Sequence, residues 1–160
     1  MSTPDAEVLR KVIQWLAYGD EDLRLARHGL TMTGSRPYRL IAYHAQQCTE
    51  KHLKAYLVYK GVDFPYTHNI SRLLEICDEH ASWIETLQDA ETLTPFAVTL
   101  RYPGETEEVT EAEVLNAIEI AARVQQVVRT ALDQEGASLP EESALHEHDD
   151  KSAPDEPPES

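Results

Sequence analysis

Positive charge is scarce in this chain. Fourteen lysines and arginines stand against 29 acidic residues among 160, for a net charge of −15. Tight, unaided binding to nucleic acid needs clustered cations on the phosphates, so an acidic body of this kind argues against it. Weak or partner-assisted contact through a local basic patch stays open, and no DNA partner is expected. Cysteine is nearly absent as well. Cys48 and Cys77 stand alone with no C-x-x-C spacing, which removes a disulfide framework. Cys48 lies among apolar positions and reads as a small buried hydrophobe. No apolar signal segment occupies Met1 to Lys11, and no run reaches the length a bilayer demands. A membrane is therefore not expected, and the cytoplasm is the expected compartment.

The acids are unevenly spread. Gly136 to Ser160 holds eight acids, one lysine and four prolines, with almost no large apolar residue. Such a segment cannot bury enough surface to offset its ordering entropy, so 136–160 is expected to be a disordered acidic tail. Residues 1–135 are then one helical domain. One core is what that length supports.

Helical periodicity runs through the domain. Thr3 before Pro4 predicts a first helix from Pro4 to about Leu30, with Val8, Val12, Trp15, Leu16, Gly19, Leu23, Ala26 and Leu30 on its buried face. Gly19 in that stripe costs helicity and permits close approach of a neighbouring backbone. A second helix is predicted from Pro37 to Gly61, a left-handed cap position, with Tyr38, Ile41, Ala45, Cys48, His52, Ala55 and Tyr59 inward. Asn69 or Thr67 begins a third, and a further helix covers about Ser82 to Leu100, broken near Thr94-Pro95. Thr110 and Glu113 form a capping box for the last, which runs to about Glu135. Its apolar face, including Val124 and Val128, is wider than one neighbour within the chain needs, which points to a second subunit. No strand and no internal repeat emerges. The expected fold is an all-α, up-and-down four-helix bundle.

A bundle interior can house metals, and a di-iron carboxylate site wants Glu-x-x-His pairs on facing helices. The residues three before His28, His44, His52, His68 and His80 are Leu25, Ile41, Thr49, Pro65 and Cys77. None is a glutamate, so no metal and no cofactor is expected. His146 to Asp150 is a solvated acidic stretch with nothing to fix coordination geometry.

The second helix carries a less ordinary feature. In Tyr43-His44-Ala45-Gln46-Gln47-Cys48-Thr49-Glu50-Lys51-His52-Leu53-Lys54-Ala55, the polar residues His44, Gln47 and Lys51 recur at helical spacing on one stripe. Two readings are open. The row is a polar seam hydrogen-bonding neighbouring helices, with Glu50 and Lys54 a surface pair. Alternatively, His44, Gln47, Lys51, His68 and Arg101 converge as basic and amide donors on an anion or nucleotide.

This run, together with Gly61, the Thr67-His68 turn and the Arg101-Tyr102-Pro103 element, resembles the HEPN family of small helical bundles over about Trp15 to Thr130. The resemblance implies a homodimer. It also implies partnership with a minimal nucleotidyltransferase, often as a toxin–antitoxin pair in which this chain resembles the substrate-binding subunit. Many members carry an arginine followed, after four to six residues, by a histidine at the start of the last helix, and two such motifs build a ribonuclease site. Arg101 best matches the arginine, and the histidine then falls at 106–108, where Thr106, Glu107 and Glu108 stand. Acids there would repel a phosphodiester. Arg39 and His44 have the spacing but lie in the second helix, where five residues diverge by roughly 140°. No catalytic residue is assigned. A non-catalytic binding subunit for nucleotide or RNA is the expected function. The alternatives are a divergent ribonuclease toxin using Arg101 with His68 or His44, and a purely structural docking bundle.

Overall fold

The computed structural model describes residues 5–97 and 108–140. Four α-helices and one 3-10 helix follow one another: α1 (Ala6–Gly29), α2 (Tyr38–Tyr59), α3 (Ile70–Asp78), the 3-10 helix (Ser82–Ala97) and α4 (Glu111–Gln134). No strand occurs among the described residues. Helix α2 is central, with α1 along one flank, α4 on another, and α3 with the 3-10 helix closing a third. The expected helical bundle is what forms.

Local chemistry sets the ends of these elements. Helix α1 starts at Ala6 because the Asp5 carboxylate accepts from Val8 N at 2.8 Å. The expected cap, Thr3 before Pro4, lies outside the described residues. Gly61 has φ +69°, and the bonds Gly61 N to Val58 O and Val62 N to Leu57 O close a Schellman motif at the end of α2. Asn69 accepts from Arg72 N and caps α3, while Thr67 Oγ1 accepts from Asn69 N. The capping box of Thr110 and Glu113 opens α4 with both reciprocal bonds made.

Three expectations change. The stretch from Ser82 winds as a 3-10 helix through Pro95. Its buried residues are Ile84, Leu87, Ala90 and Leu93, a strict three-residue period that only a three-residue turn lines up. The chain also does not leave the bundle at Gly136. That glycine has φ +91° in a second Schellman motif, Ala137 is buried, and Leu139 packs on the core. The rest of the expected tail, 141–160, lies outside the described residues. Finally, Val124 and Val128 are fully buried within this one chain, so most of the wide face of α4 is core. What remains outward is Leu115, half exposed, with Ile118, Ala122 and Val127 partly so.

Candidate functional site: three carboxylates in a polar seam

Because α2 is surrounded, its polar residues cannot all face water. Gln46, Gln47, Thr49, Glu50, His52 and Lys54 are buried on α2, with Asp20 and Asp22 on α1 and Gln125 on α4. A buried charge is tolerated only when it is paired and hydrogen-bonded. The structure meets that demand by gathering donors onto three carboxylates.

Asp22 sits at the rim between α1 and α2. His44 Nδ1 lies 2.8 Å from one of its oxygens, and Lys51 Nζ donates to the other at 2.5 Å. Two of the expected anion-binding residues therefore serve an anion of the protein itself. Glu50 is the second centre. Lys54 donates to it at 2.5 Å, Gln46 at 3.1 Å and Gln47 at 3.3 Å, and His68 Nδ1 lies 3.0 Å away. Gln46 Nε2 also donates to His68 O, and Gln47 Nε2 to Gln46 Oε1. The Lys54 ammonium lies 5.5–6.0 Å from the ring centres of Trp15, Phe64 and Tyr66, so its remaining environment is aromatic. Burial raises the Glu50 carboxyl, but hydrogen bonds from Lys54 and His68 outweigh it and hold the group below the usual carboxylate range. Lys54 and Glu50 are thus an interior pair, correcting the expectation of a surface one.

The third centre ties three helices together. Asp20 on α1 accepts from Gln125 Nε2 at 2.7 Å and Arg129 Nη2 at 2.5 Å, both on α4, and meets His52 Nε2 of α2 at 3.1 Å. The other imidazole nitrogen, Nδ1, lies 2.7 Å from the Cys48 carbonyl. A carbonyl and a carboxylate both accept, so both ring nitrogens donate and His52 is the imidazolium. Burial lowers its pKa, but the Cys48 sulfur and Asp20 outweigh that and raise it to about 10. Burial likewise works to raise Asp20, and His52, Gln125 and Arg129 hold it low. Arg129 Nε is buried and lacks a hydrogen-bond partner. An alanine methyl at Gly19 would stand 2.6 Å from the His52 ring and 3.4 Å from the Cys48 carbonyl oxygen, so this glycine admits both the imidazole and the expected neighbouring backbone.

Of the five expected binding residues, His44, Lys51, Gln47 and His68 fall into two neighbouring clusters around Asp22 and Glu50. Arg101 lies outside the described residues, as do Thr106 and Glu107. Glu108 is described and exposed. Asp20, Asp22, Gln46, Gln125 and Arg129 were not foreseen. Asp20 had a visible signal, since it lies between Leu16 and Leu23 on the apolar face of α1. Chemically the seam is closed. Asp20 and Glu50 are saturated with donors and depressed, so neither is a useful base at neutral pH. Burial pushes the Cys77 thiol up to about 12, which leaves it inert. No cluster of three or more metal-ligating side chains occurs among the described residues. None of the helices there is long and apolar enough to cross a membrane.

Comparison with known proteins agrees with this architecture. No curated protein matches the chain. The crystal structure of an archaeal HEPN homologue matches with a TM-score of 0.60 at 26% identity, covering 76% of this chain and 97% of that one. The family model for the HEPN domain matches residues 12–131. Those residues hold Asp20, Asp22, Glu50 and every donor that closes on them, and the chain belongs to the HEPN domain family.

Proposed function

We propose that this bundle is a non-catalytic HEPN binding subunit that docks on a minimal nucleotidyltransferase, as in a toxin–antitoxin pair, and holds nucleotide or RNA. One observation supports it above others: the interior polar groups are spent on each other, leaving no free acid and base facing a common point. His44 and Lys51 at the rim of Asp22, each about a quarter exposed, and His68 on Glu50, about half exposed, are the seam residues still able to meet a ligand. The half-exposed Leu115, with Ile118 and Ala122 beside it, offers a strip for a homodimer. Co-expression with a small nucleotidyltransferase and affinity capture tests the pairing, and ATP and RNA titrations test the ligand. Failure to pair, together with no binding of either ligand, would leave a docking bundle only.

A second reading has its own observation. His44 Nδ1 is oriented by a mostly buried carboxylate, and its Nε2 makes no hydrogen bond among the described residues. A histidine so held can act as a general base. If the pure protein cuts RNA and His44→Ala abolishes cutting, the divergent ribonuclease replaces the binding subunit.

A further inference from the structure

In a chain of net charge −15, residues 23–49 contain four arginines, two histidines and no acid. The structure folds this segment into the end of α1, the start of α2 and the turn between them. Arg24, Arg27 and His28 are exposed on the outer side of α1, and neither arginine makes an ion pair among the described residues. With Thr31 they occupy i, i+3, i+4 and i+7, a stripe on the order of 10 Å long. A shallow hollow of about 580 Å³ runs along it, lined by these four residues with Leu25 and Glu21. Leu25, in that lining, is exposed at 53%.

A simpler origin covers part of this. Cations in the last turn of a helix answer its dipole, which accounts for Arg27 and His28 at about 0.3–1 kcal/mol. It does not account for Arg24, one turn earlier, or for the absence of acids over 27 residues. Self-pairing of this face would oppose arginine to arginine, so a second copy is a poor occupant. The occupant must be an anion. The arginines of the segment carry a planar fork that meets phosphate oxygens in pairs.

We infer that the outer face of α1, through Arg24, Arg27 and His28, binds the phosphate backbone of single-stranded RNA. This rests on the RNA-binding reading above and places the backbone contact on α1, apart from the rim residues His44 and Lys51. Glu21 marks the N-terminal limit of the track, because its charge opposes a phosphate there.

Fluorescence anisotropy of a labelled oligouridylate against the full chain tests it, with Arg24→Ala/Arg27→Ala, Glu21→Gln and Lys51→Ala in parallel. Both arginines are exposed, so a melting curve matching wild type verifies the fold of the double variant. That variant should bind at least about tenfold more weakly, and its log–log salt slope should fall by about 1.4, at 0.7 per phosphate contact. Glu21→Gln should tighten binding. RNA bound equally by wild type and the double variant, but lost in Lys51→Ala, overturns this inference while leaving an RNA-binding subunit. No RNA binding by wild type overturns both. If the isolated peptide 141–160 binds through Arg24 and Arg27 and RNA does not, the face belongs to an acidic polypeptide and the inference fails.

Discussion

Replacing Gly19 with alanine tests the seam at its tightest point. In an exposed helix interior this change gains about 1 kcal/mol, since alanine loses less backbone entropy than glycine. Here the new methyl would stand 2.6 Å from both Cε1 and Nδ1 of His52. The ring cannot retreat without releasing the Cys48 carbonyl or Asp20, which hold it at 2.7 and 3.1 Å. Forcing an extra methyl into a filled core costs about 1–3 kcal/mol, and a lost hydrogen bond to a charged group costs about 1.5–3 kcal/mol more. The net expectation is destabilisation by about 2–4 kcal/mol, a fall in Tm on the order of 10 °C for a chain this size. Urea denaturation followed by circular dichroism reads it as a lowered midpoint at constant slope. Combining the change with His52→Ala removes the obstacle, so in that background Gly19→Ala should be neutral or stabilising. A midpoint at or above wild type for the single variant would refute the close approach of α1 to His52.

Three other outcomes follow from the same packing. Val124→Asp places an unpaired charge at a fully buried site and should unfold the bundle, at a cost on the order of 4 kcal/mol or more; a folded monomer from a wild-type dimer would return that face to an interface. Ending the chain after Pro140 should leave Tm within about 1 °C, whereas ending it after Glu135 removes the Gly136 cap with Ala137 and Leu139 and should cost about 1–2 kcal/mol; equal melting temperatures would refute that boundary. His52, raised from 6.5 to about 10 in the fold, contributes stability that is complete below pH 6.5 and is lost as pH rises towards 10, at no more than about 1.4 kcal/mol per pH unit. Asp20 and Glu50 are depressed, so theirs is present at neutral pH and lost on acidification below the ordinary carboxylate range. Urea midpoints across pH should therefore fall on both sides, and His52→Gln should flatten the alkaline limb and, by taking a cation from Asp20, weaken the acid limb as well; a wild-type limb without slope from pH 7 to 10 would refute the buried imidazolium.

Most of the fold could be read from residues whose partners are near in sequence. The Thr110–Glu113 box, the Asn69 cap and the left-handed Gly61 each depend on contacts within a few positions, and each formed as expected. The 3-10 helix was legible in principle, because Ile84, Leu87, Ala90 and Leu93 repeat every third residue, but a helical stripe sought at 3.6 passes over it. The seam was harder. Lys51 meets Asp22 across 29 positions, and Arg129 meets Asp20 across 109. Nothing local specifies such a pairing. What could have been noticed is an aspartate on the apolar face of α1 and a histidine on that of α2, two polar groups that can enter a core only together.

The position of these groups also bears on why the family run is written as it is. From sequence, His44, Gln47 and Lys51 could be a packing seam or a ligand-binding stripe. Central burial of α2 favours the seam: Lys51, His52 and Lys54 each meet a carboxylate, because an unpaired buried charge is costly. Two of the three carboxylates come from α1, within three residues of each other, and the third from α2 itself. The seam therefore fixes the register of α1 against α2, and through Gln125 and Arg129 that of α4. A slide of α1 by one turn would strand Asp20 and Asp22 opposite apolar side chains. The cations left to meet a ligand are then those without an ion pair among the described residues, such as Arg24 and Arg27 on the outer face of α1.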